Sequence, residues 1–268
     1  MDEKIAELKK LVDSSNRIVF FGGAGVSTES GIPDFRSEDG LYHQKFKYLP
    51  EMMLSHSFYV GHKKEFYEFY REKMLCLDAK PNIVHKRLAE LEAEGKLIAV
   101  VTQNIDGLHQ KAGSKKVYEL HGSVLRNYCS KCGKFYPVAS VLKDWDKDME
   151  SLDSLSESLK EYDEPGKRSY LEDGVPRCEC GGVIKPDVVL YEEGLDDETV
   201  SGAVNAIASA DLLIIGGTSL NVYPAAGLIN YFRGGKSRLV LVNKSATPFD
   251  RSAGIVINDS LGKVFSQI

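Results

Sequence analysis

Short apolar runs alternate with amphipathic segments along most of the chain. Buried strands are predicted where these runs are four or five residues long, at 17–21, 97–101, 117–120, 187–190, 211–215, 238–242 and 254–257. Apolar residues at helical spacing predict helices at 2–15, from Pro81 to a stop at Gly95, at 198–209 and after Pro224. Strands that alternate with helices predict an α/β fold with a doubly wound parallel sheet.

Two stretches interrupt this alternation. Residues 37–81 have aromatic side chains at helical spacing and no strand-like run, so we interpret them as a helical insertion packed through those aromatics. Residues 128–182 carry two cysteine pairs and a Ser-rich acidic insert, 140–171, expected to form a solvated helical elaboration or a mobile loop. The remaining parts, 1–36, 82–127 and 183–268, are assigned to one Rossmann-like domain.

Composition and charge restrict the class of partner. The 268 residues suffice for a full α/β core, and the net charge of -5 provides no basic field for nucleic acid or anionic lipid. Residues 1–10 are charged and helical in pattern, unlike a secretory signal, and no apolar run has membrane-spanning length. We therefore expect a cytoplasmic protein that binds neither nucleic acid nor membranes.

Four of the five cysteines form two close pairs, each followed by glycine, while Cys76 is expected to be a buried, inert thiol. Four thiolates suit a closed tetrahedral zinc site, in which glycine lets backbone amides approach the sulfurs. The sequence predicts one structural zinc bound by Cys129, Cys132, Cys178 and Cys180.

Residues 22–28 form a glycine-rich turn after the first strand, with Ser27 and Thr28 where a helix would begin. Glycines let a backbone approach phosphate closely, and helix-start amides attract its charge. The third glycine of the dehydrogenase fingerprint is missing, so this turn alone does not establish nucleotide binding.

Polar residues follow other predicted strands, at the sheet edge where α/β proteins bind ligands. Gln103, Asn104 and Asp106 follow the second strand, and His121 follows the third. A second glycine and hydroxyl turn, 216–219, follows the strand at 211–215, and Asn243 follows the next.

The stretch from Phe20 to Arg36, with residues 103–106 and 120–122, resembles the signature of the sirtuins, NAD-dependent protein lysine deacylases. The resemblance covers nearly the whole chain except the acidic insert, although sirtuins more often have two or more residues between the second pair of cysteines. It implies that acetyl or other neutral acyl groups are removed from protein lysines. NAD is then consumed, giving nicotinamide, O-acyl-ADP-ribose and free lysine.

The resemblance also implies site residues. Catalytic roles fall to His121, as general base, and to Asn104. The NAD-binding set comprises Gly23, Ala24, Gly25, Thr28, Phe35, Arg36, Gln103, Asn104, Ile105, Asp106, Gly217, Thr218, Ser219, Asn243, Lys244 and Ser260. Segments 188–192 and 220–222 are expected to flank an extended acetylated peptide, which adds as a strand between them.

Two other functions share part of these sequence features. An NAD-dependent oxidoreductase would need an acidic residue at the end of the second strand, where this chain has Thr102 and Gln103. A non-catalytic zinc-ribbon binding module would leave both glycine turns and His121 without a role.

The helical insertion bears on the acyl group. Sirtuins that prefer acidic acyl chains carry Tyr-x-x-Arg, whereas this chain has Tyr67, then Tyr70, then Arg71 one residue later. We expect Arg71 to point away from the acyl tunnel, which favours acetyl or longer neutral groups over succinyl.

Overall fold

A computed structural model describes residues 2–35, 40, 47–142 and 169–268. Its centre is a parallel sheet of six strands: β1 (Ile18–Gly22), β2 (Leu97–Thr102), β3 (Val117–Glu119), β9 (Leu212–Gly216), β10 (Leu239–Val242) and β11 (Ile255–Ile257). The strand order is β11-β10-β9-β1-β2-β3, and every pairing is parallel. Because layers cover both faces, the central strands are apolar throughout.

Helices cover the two faces of this sheet, as the predicted fold class requires. Ile18 and Phe20 of β1 pack against α1 (Glu3–Ser14), α5 (Ile83–Ala93) and α9 (Leu261–Phe265). Val19 and Phe21 face the opposite layer, made of α8 (Asp197–Ser209) and a 3₁₀ segment (Ala225–Tyr231). The alternation along β1 therefore supplies both cores, and the doubly wound α/β architecture is confirmed.

The helical insertion contains α2 (Pro50–Met53), α3 (His56–Gly61), α4 (Lys63–Phe69) and a π-helical segment (Tyr70–Met74). Its aromatic side chains form one buried cluster, with Phe66 and Tyr70 stacked at 5.7 Å between ring centroids. Phe35 and Ile105, from the two sheet-edge loops, pack against the same cluster. The expectation that the aromatic residues form a packing face is confirmed.

A second small unit lies between β3 and β9 in chain order. A short helix, α6 (Leu108–Lys111), precedes β3, and then come β4 (Gly122–Cys129), β5 (Phe135–Pro137), α7 (Val138–Leu142), β6 (Ser169–Glu172), β7 (Val175–Cys178) and β8 (Ile184–Val188). β5, β4 and β8 form an antiparallel sheet of three strands, and β6 pairs with β7 as a hairpin.

Several local predictions are corrected. Residues 24–30 form two 3₁₀ turns in place of the helix expected from Ser27 and Thr28. Asn82, and not Pro81, caps α5. The strand expected at 187–190 is β8, three residues earlier, and it pairs antiparallel with β4 outside the parallel sheet.

The acidic insert lies largely outside the described residues, from 143 to 168, so the expectation of a solvated helix or loop is not addressed there. Its first three residues, 140–142, are instead buried at the end of α7, because Val141 and Leu142 pack into apolar clusters. Arg36 likewise lies outside the described residues. Among the described helices, none is long and apolar enough to cross a membrane.

Candidate active site

The glycine turn after β1 packs directly on the glycine turn after β9. Gly25 N donates a hydrogen bond to Gly217 O at 2.8 Å, and a Cβ at position 25 would lie only 2.7 Å from Gly217 Cα. Gly217 itself has φ +64, a backbone conformation that favours glycine. The glycines are therefore needed to bring the two turns together, which places both candidate NAD-binding segments at one point of the sheet edge.

Asp106 is tied to the first turn by a hydrogen bond from the Ser27 hydroxyl to Oδ2 at 2.6 Å. Asn104 Nδ2 donates in turn to Ser27 Oγ at 3.0 Å, and Leu108 N donates to Asp106 Oδ1 at 2.9 Å. Burial raises the pKa of Asp106, while the bonds from Ser27 and Leu108 lower it. The result is a buried carboxyl group whose acceptor oxygens are fixed in direction.

His121 is oriented by the loop after the neighbouring strand. Its Nδ1 lies 2.9 Å from Gln103 O, and because a carbonyl oxygen only accepts, Nδ1 carries the proton. Nε2 is then the nitrogen with the free lone pair. Burial lowers the pKa of His121, and the bond to Gln103 offsets part of that effect. The imidazole is neutral near pH 7 and can accept a proton through Nε2.

The second turn continues this network towards β10. Gln103 Nε2 donates to Thr218 Oγ1 at 2.9 Å, and Thr218 N donates to Asn243 Oδ1 at 3.0 Å. The buried Asn243 Nδ2 has no hydrogen-bond partner among the described residues. Buried donors are rarely left unsatisfied, so this one fits a polar ligand group such as a ribose hydroxyl.

Three further residues predicted to bind NAD, Thr28, Ser260 and Lys244, have different surroundings. Thr28 Oγ1 donates to Gly25 O at 3.1 Å, so its side chain lies beside the first turn. The Ser260 hydroxyl accepts from Lys263 N and caps α9. Lys244 is exposed after β10. Residues of the predicted set form three hydrogen-bonded groups at this edge. Gly25 bonds Gly217, and Ser27 joins Asn104 to Asp106. Gln103 joins His121 to Thr218, which in turn bonds Asn243.

Two sets of contacts were missed by sequence reasoning. Ser27 was interpreted only as a helix start, although it joins Asn104 to Asp106. Arg126 of β4 bonds Glu119 Oε2 at 2.7 Å and Asp187 Oδ2 at 2.8 Å, which ties the end of β3 to β4 and β8. The polar residues within β4 could have indicated these ion pairs, because a charged side chain inside a strand is stable there only when it has a partner of opposite charge.

The four predicted metal ligands meet in one cluster whose sulfur atoms all lie within 4.8 Å of one another. Cys129 Sγ is 3.5 Å from Cys180 Sγ, and Cys132 Sγ is 3.7 Å from Cys178 Sγ, both far longer than a disulfide bond. Tetrahedral thiolates at a Zn–S distance of about 2.3 Å are about 3.8 Å apart. The single-residue spacing of the second pair therefore does not prevent a zinc site, and the cluster is compatible with one structural zinc.

Comparison with known proteins decides the family. A model of the Sir2 family matches residues 23–224. The chain belongs to the Sir2 family. An NAD-dependent protein deacetylase of Clostridium acetobutylicum is 56% identical, covering 99% of this chain and 98% of that protein.

Solved Sir2 structures are similar to this chain. One contains a deacetylated p53 peptide and 3'-O-acetyl ADP-ribose, with a TM-score of 0.81 and 38% identity. Another is a complex with a p53 peptide and NAD+, with a TM-score of 0.78 and 39% identity. Each match covers 98% of this Sir2 chain and 96% of the other. An oxidoreductase or a non-catalytic zinc module is not favoured.

Proposed function

We propose that this Sir2 chain removes acetyl groups from protein lysines and consumes NAD as co-substrate. One observation carries the proposal: a neutral imidazole with a free Nε2 and a buried carboxyl group follow adjacent strands at the edge where two glycine turns meet. A general base and a phosphate-binding turn at one edge suit transfer of an acyl group to a nucleotide sugar.

The chain's own residues have the following proposed roles. His121 accepts a proton at Nε2, and Gln103 O holds the tautomer that makes this possible. Asp106 accepts an N–H of the nicotinamide carboxamide, and Asn104 and Ser27 fix the direction of its carboxyl group. NAD, when bound, supplies the sugar carbon that takes the acyl oxygen, with nicotinamide as leaving group. Water is excluded on one side by Phe35 and Ile105, which pack on the helical insertion.

The remaining NAD contacts follow the turns. Gly23, Ala24, Gly25 and Thr28 hold the phosphates, with Arg36 ordering the covering loop. Gly217, Thr218, Ser219, Asn243, Lys244 and Ser260 hold the adenosine half, and Asn243 Nδ2 is the donor that a sugar hydroxyl would satisfy.

The division into parts is likewise proposed. A nucleotide-binding domain of 1–36, 82–127 and 183–268 holds NAD. The helical insertion 37–81 and the zinc module 128–182 form a smaller lobe, and the acyl-lysine tunnel lies between the two. Strands β4 and β8 pair across the boundaries of the zinc module, so this module and the main domain meet beside His121.

The substrate class is an extended peptide with an acylated lysine, bound between segments 188–192 and 220–222. Nucleic acid is not expected as a partner, because the net charge is -5. A cytoplasmic location is supported by the four free thiols of the zinc cluster, which need a reducing compartment.

The test is to incubate the protein with NAD and an acetyl-lysine peptide. Nicotinamide and deacetylated peptide should form in equal amounts, and only when both substrates are present. Absorbance of reduced cofactor would favour the oxidoreductase instead, and no reaction with any acetylated peptide would favour a binding module.

A further inference from the structure

Each of the two segments proposed to flank the peptide contains a residue with a left-handed backbone conformation. Among the described residues, three that are not glycine have positive φ: Asp173 at 52°, Glu192 at 77° and Leu220 at 56°. Asp173 lies in the turn between β6 and β7. The other two lie in segments 188–192 and 220–222. Such conformations are costly and persist only where neighbouring contacts hold them, often at functional sites.

Glu192 occupies a turn position that favours glycine. Glu193 N donates to Leu190 O at 3.0 Å, which closes a four-residue turn over 190–193. Positive φ at the third residue of such a turn is typical of type II, where glycine is preferred. A glutamate there is strained, so its side chain must make contacts that offset the strain.

Those contacts join the turn to the helical insertion. The Glu192 carboxylate accepts from Ser57 N and from Ser57 Oγ, both at 2.9 Å, at the first turn of α3. Beside it, Tyr191 N donates to Leu54 O at 3.0 Å, and His56 N donates to Tyr191 O at 2.9 Å. Residues 54–57 and 190–193 are therefore locked together, with Glu192 bonded to the helix start through two atoms.

The other end of the same segment is bonded to the backbone of the proposed base. Val189 N donates to His121 O at 3.0 Å, and Val188 pairs with Gly122. Segment 188–192 is therefore bonded to the backbone of His121 near one end and to Ser57 at the other end. Any movement of this segment changes the distance from an added peptide strand to His121.

We propose that Glu192 is a positioning residue for the peptide substrate. Its carboxylate holds the left-handed turn against α3, and the turn fixes the main chain of 188–190 on which the acylated peptide lies. The bonds of its side chain go to Ser57, so it acts on the peptide through the turn. This inference rests on the proposed deacetylase function and concerns the binding of peptide alone.

Glu192→Gly tests it, because glycine removes the carboxylate and relieves the left-handed strain at once. Asp173→Gly is the matched control, since it relieves the same kind of strain in the turn between β6 and β7, outside segments 188–192 and 220–222. KM for an acetyl-lysine peptide, KM for NAD, kcat and Tm are measured for each protein. We expect Glu192→Gly to raise the peptide KM about tenfold, with the NAD KM and kcat within about twofold of the parent. Asp173→Gly should leave all three constants unchanged.

Ser57→Ala approaches the same contact from the other side and covers the case in which Glu192→Gly does not fold. It removes one donor to the carboxylate and should raise the peptide KM alone. Peptide KM values within about twofold of the parent in both variants would overturn the proposal. A parent chain that acts on no acetylated peptide would overturn the proposed function itself, and this inference with it.

Discussion

The Ser27 hydroxyl donates to Asp106 Oδ2 at 2.6 Å and so joins the turn after β1 to the loop after β2. Ser27→Ala removes a donor that lowers the pKa of Asp106, so burial will raise that pKa further. We expect nicotinamide release to fall about tenfold at neutral pH, because hydrogen bonds to charged groups contribute about 1.5–3 kcal/mol. The acidic limb of the pH profile of nicotinamide release should also move to higher pH.

The measurement is the pH profile of nicotinamide release for the parent, Ser27→Ala and Ser27→Thr. Threonine keeps the hydroxyl and should retain most of the activity. An unchanged profile in Ser27→Ala would mean that Asp106 does not act through its charge.

His121→Ala should leave a folded protein that binds NAD and does not deacetylate. Because the pKa of His121 is lowered from 6.5, the imidazole stays neutral above pH 6.5, and the rate should fall only at lower pH. Thermal melts, NAD titration and turnover as a function of pH check this. Near-full turnover in a folded variant would remove His121 from the mechanism.

Removal of zinc should unfold the zinc module and abolish activity together, because Cys129, Cys132, Cys178 and Cys180 form a closed thiolate cluster. Metal analysis should find one zinc per chain, and a strong chelator should reduce Tm and turnover in parallel. Fully active protein without bound zinc would contradict a structural role for the metal.

The acyl preference should be acetyl over succinyl. Arg71 is exposed, while Tyr70 before it is buried at the start of the π-helical segment, so that segment does not turn the guanidinium inward. An unpaired carboxylate in an apolar tunnel costs several kcal/mol, roughly a thousandfold in relative kcat/KM. The check is kcat/KM for matched acetyl and succinyl peptides. Comparable values, with the succinyl value lost in Arg71→Met, would contradict it.

Stability should fall in acid because of two buried histidines, His85 and His109, whose ring centroids are 4.7 Å apart. Burial lowers the pKa of His85 from 6.5 to about 4 and also lowers that of His109. The unfolded chain therefore binds more protons below pH 6.5. For His85 alone, the free energy of unfolding should drop by about 3 kcal/mol as the pH falls from 6.5 through about 4.

Thermal melts from pH 7.5 to 4 test this for the parent, His85→Gln and the half-exposed His62→Gln. The decrease in Tm should be smaller in His85→Gln and unchanged in His62→Gln. Equal slopes in all three proteins would assign the acid sensitivity to other groups.

The sheet could be predicted from the sequence because its central strands are apolar on both faces. The ligand-binding edge could be predicted because polar residues follow those strands. The sequence did not predict the contact between Ser27 and Asp106, which are far apart in the chain. The 3₁₀ form of residues 24–30 was also missed. Asn82 Nδ2, from α5, donates to Val26 O and Ser30 Oγ, and no local pattern encodes such a bond.

Strand β4 was missed for a related reason. Arg126 and Asn127 make it look polar, although Arg126 pairs with Glu119 and Asp187, and Asn127 Nδ2 donates to Tyr136 O. Strand propensity rules do not include such tertiary partners.

The span of β4 has a consequence for how chains of this kind diverge. This strand runs from Gly122, next to the proposed base His121, to the predicted zinc ligand Cys129, and it pairs with β8 on both sides of a register shift between Ser123 and Asn127. A one-residue insertion in the paired stretch after this shift, 127–129, would reverse the facing of every later side chain in the strand. None of the proposed site residues comes from the sequence between α7 and β6. Over evolutionary time, length should therefore drift between α7 and β6 and stay fixed between His121 and Cys129.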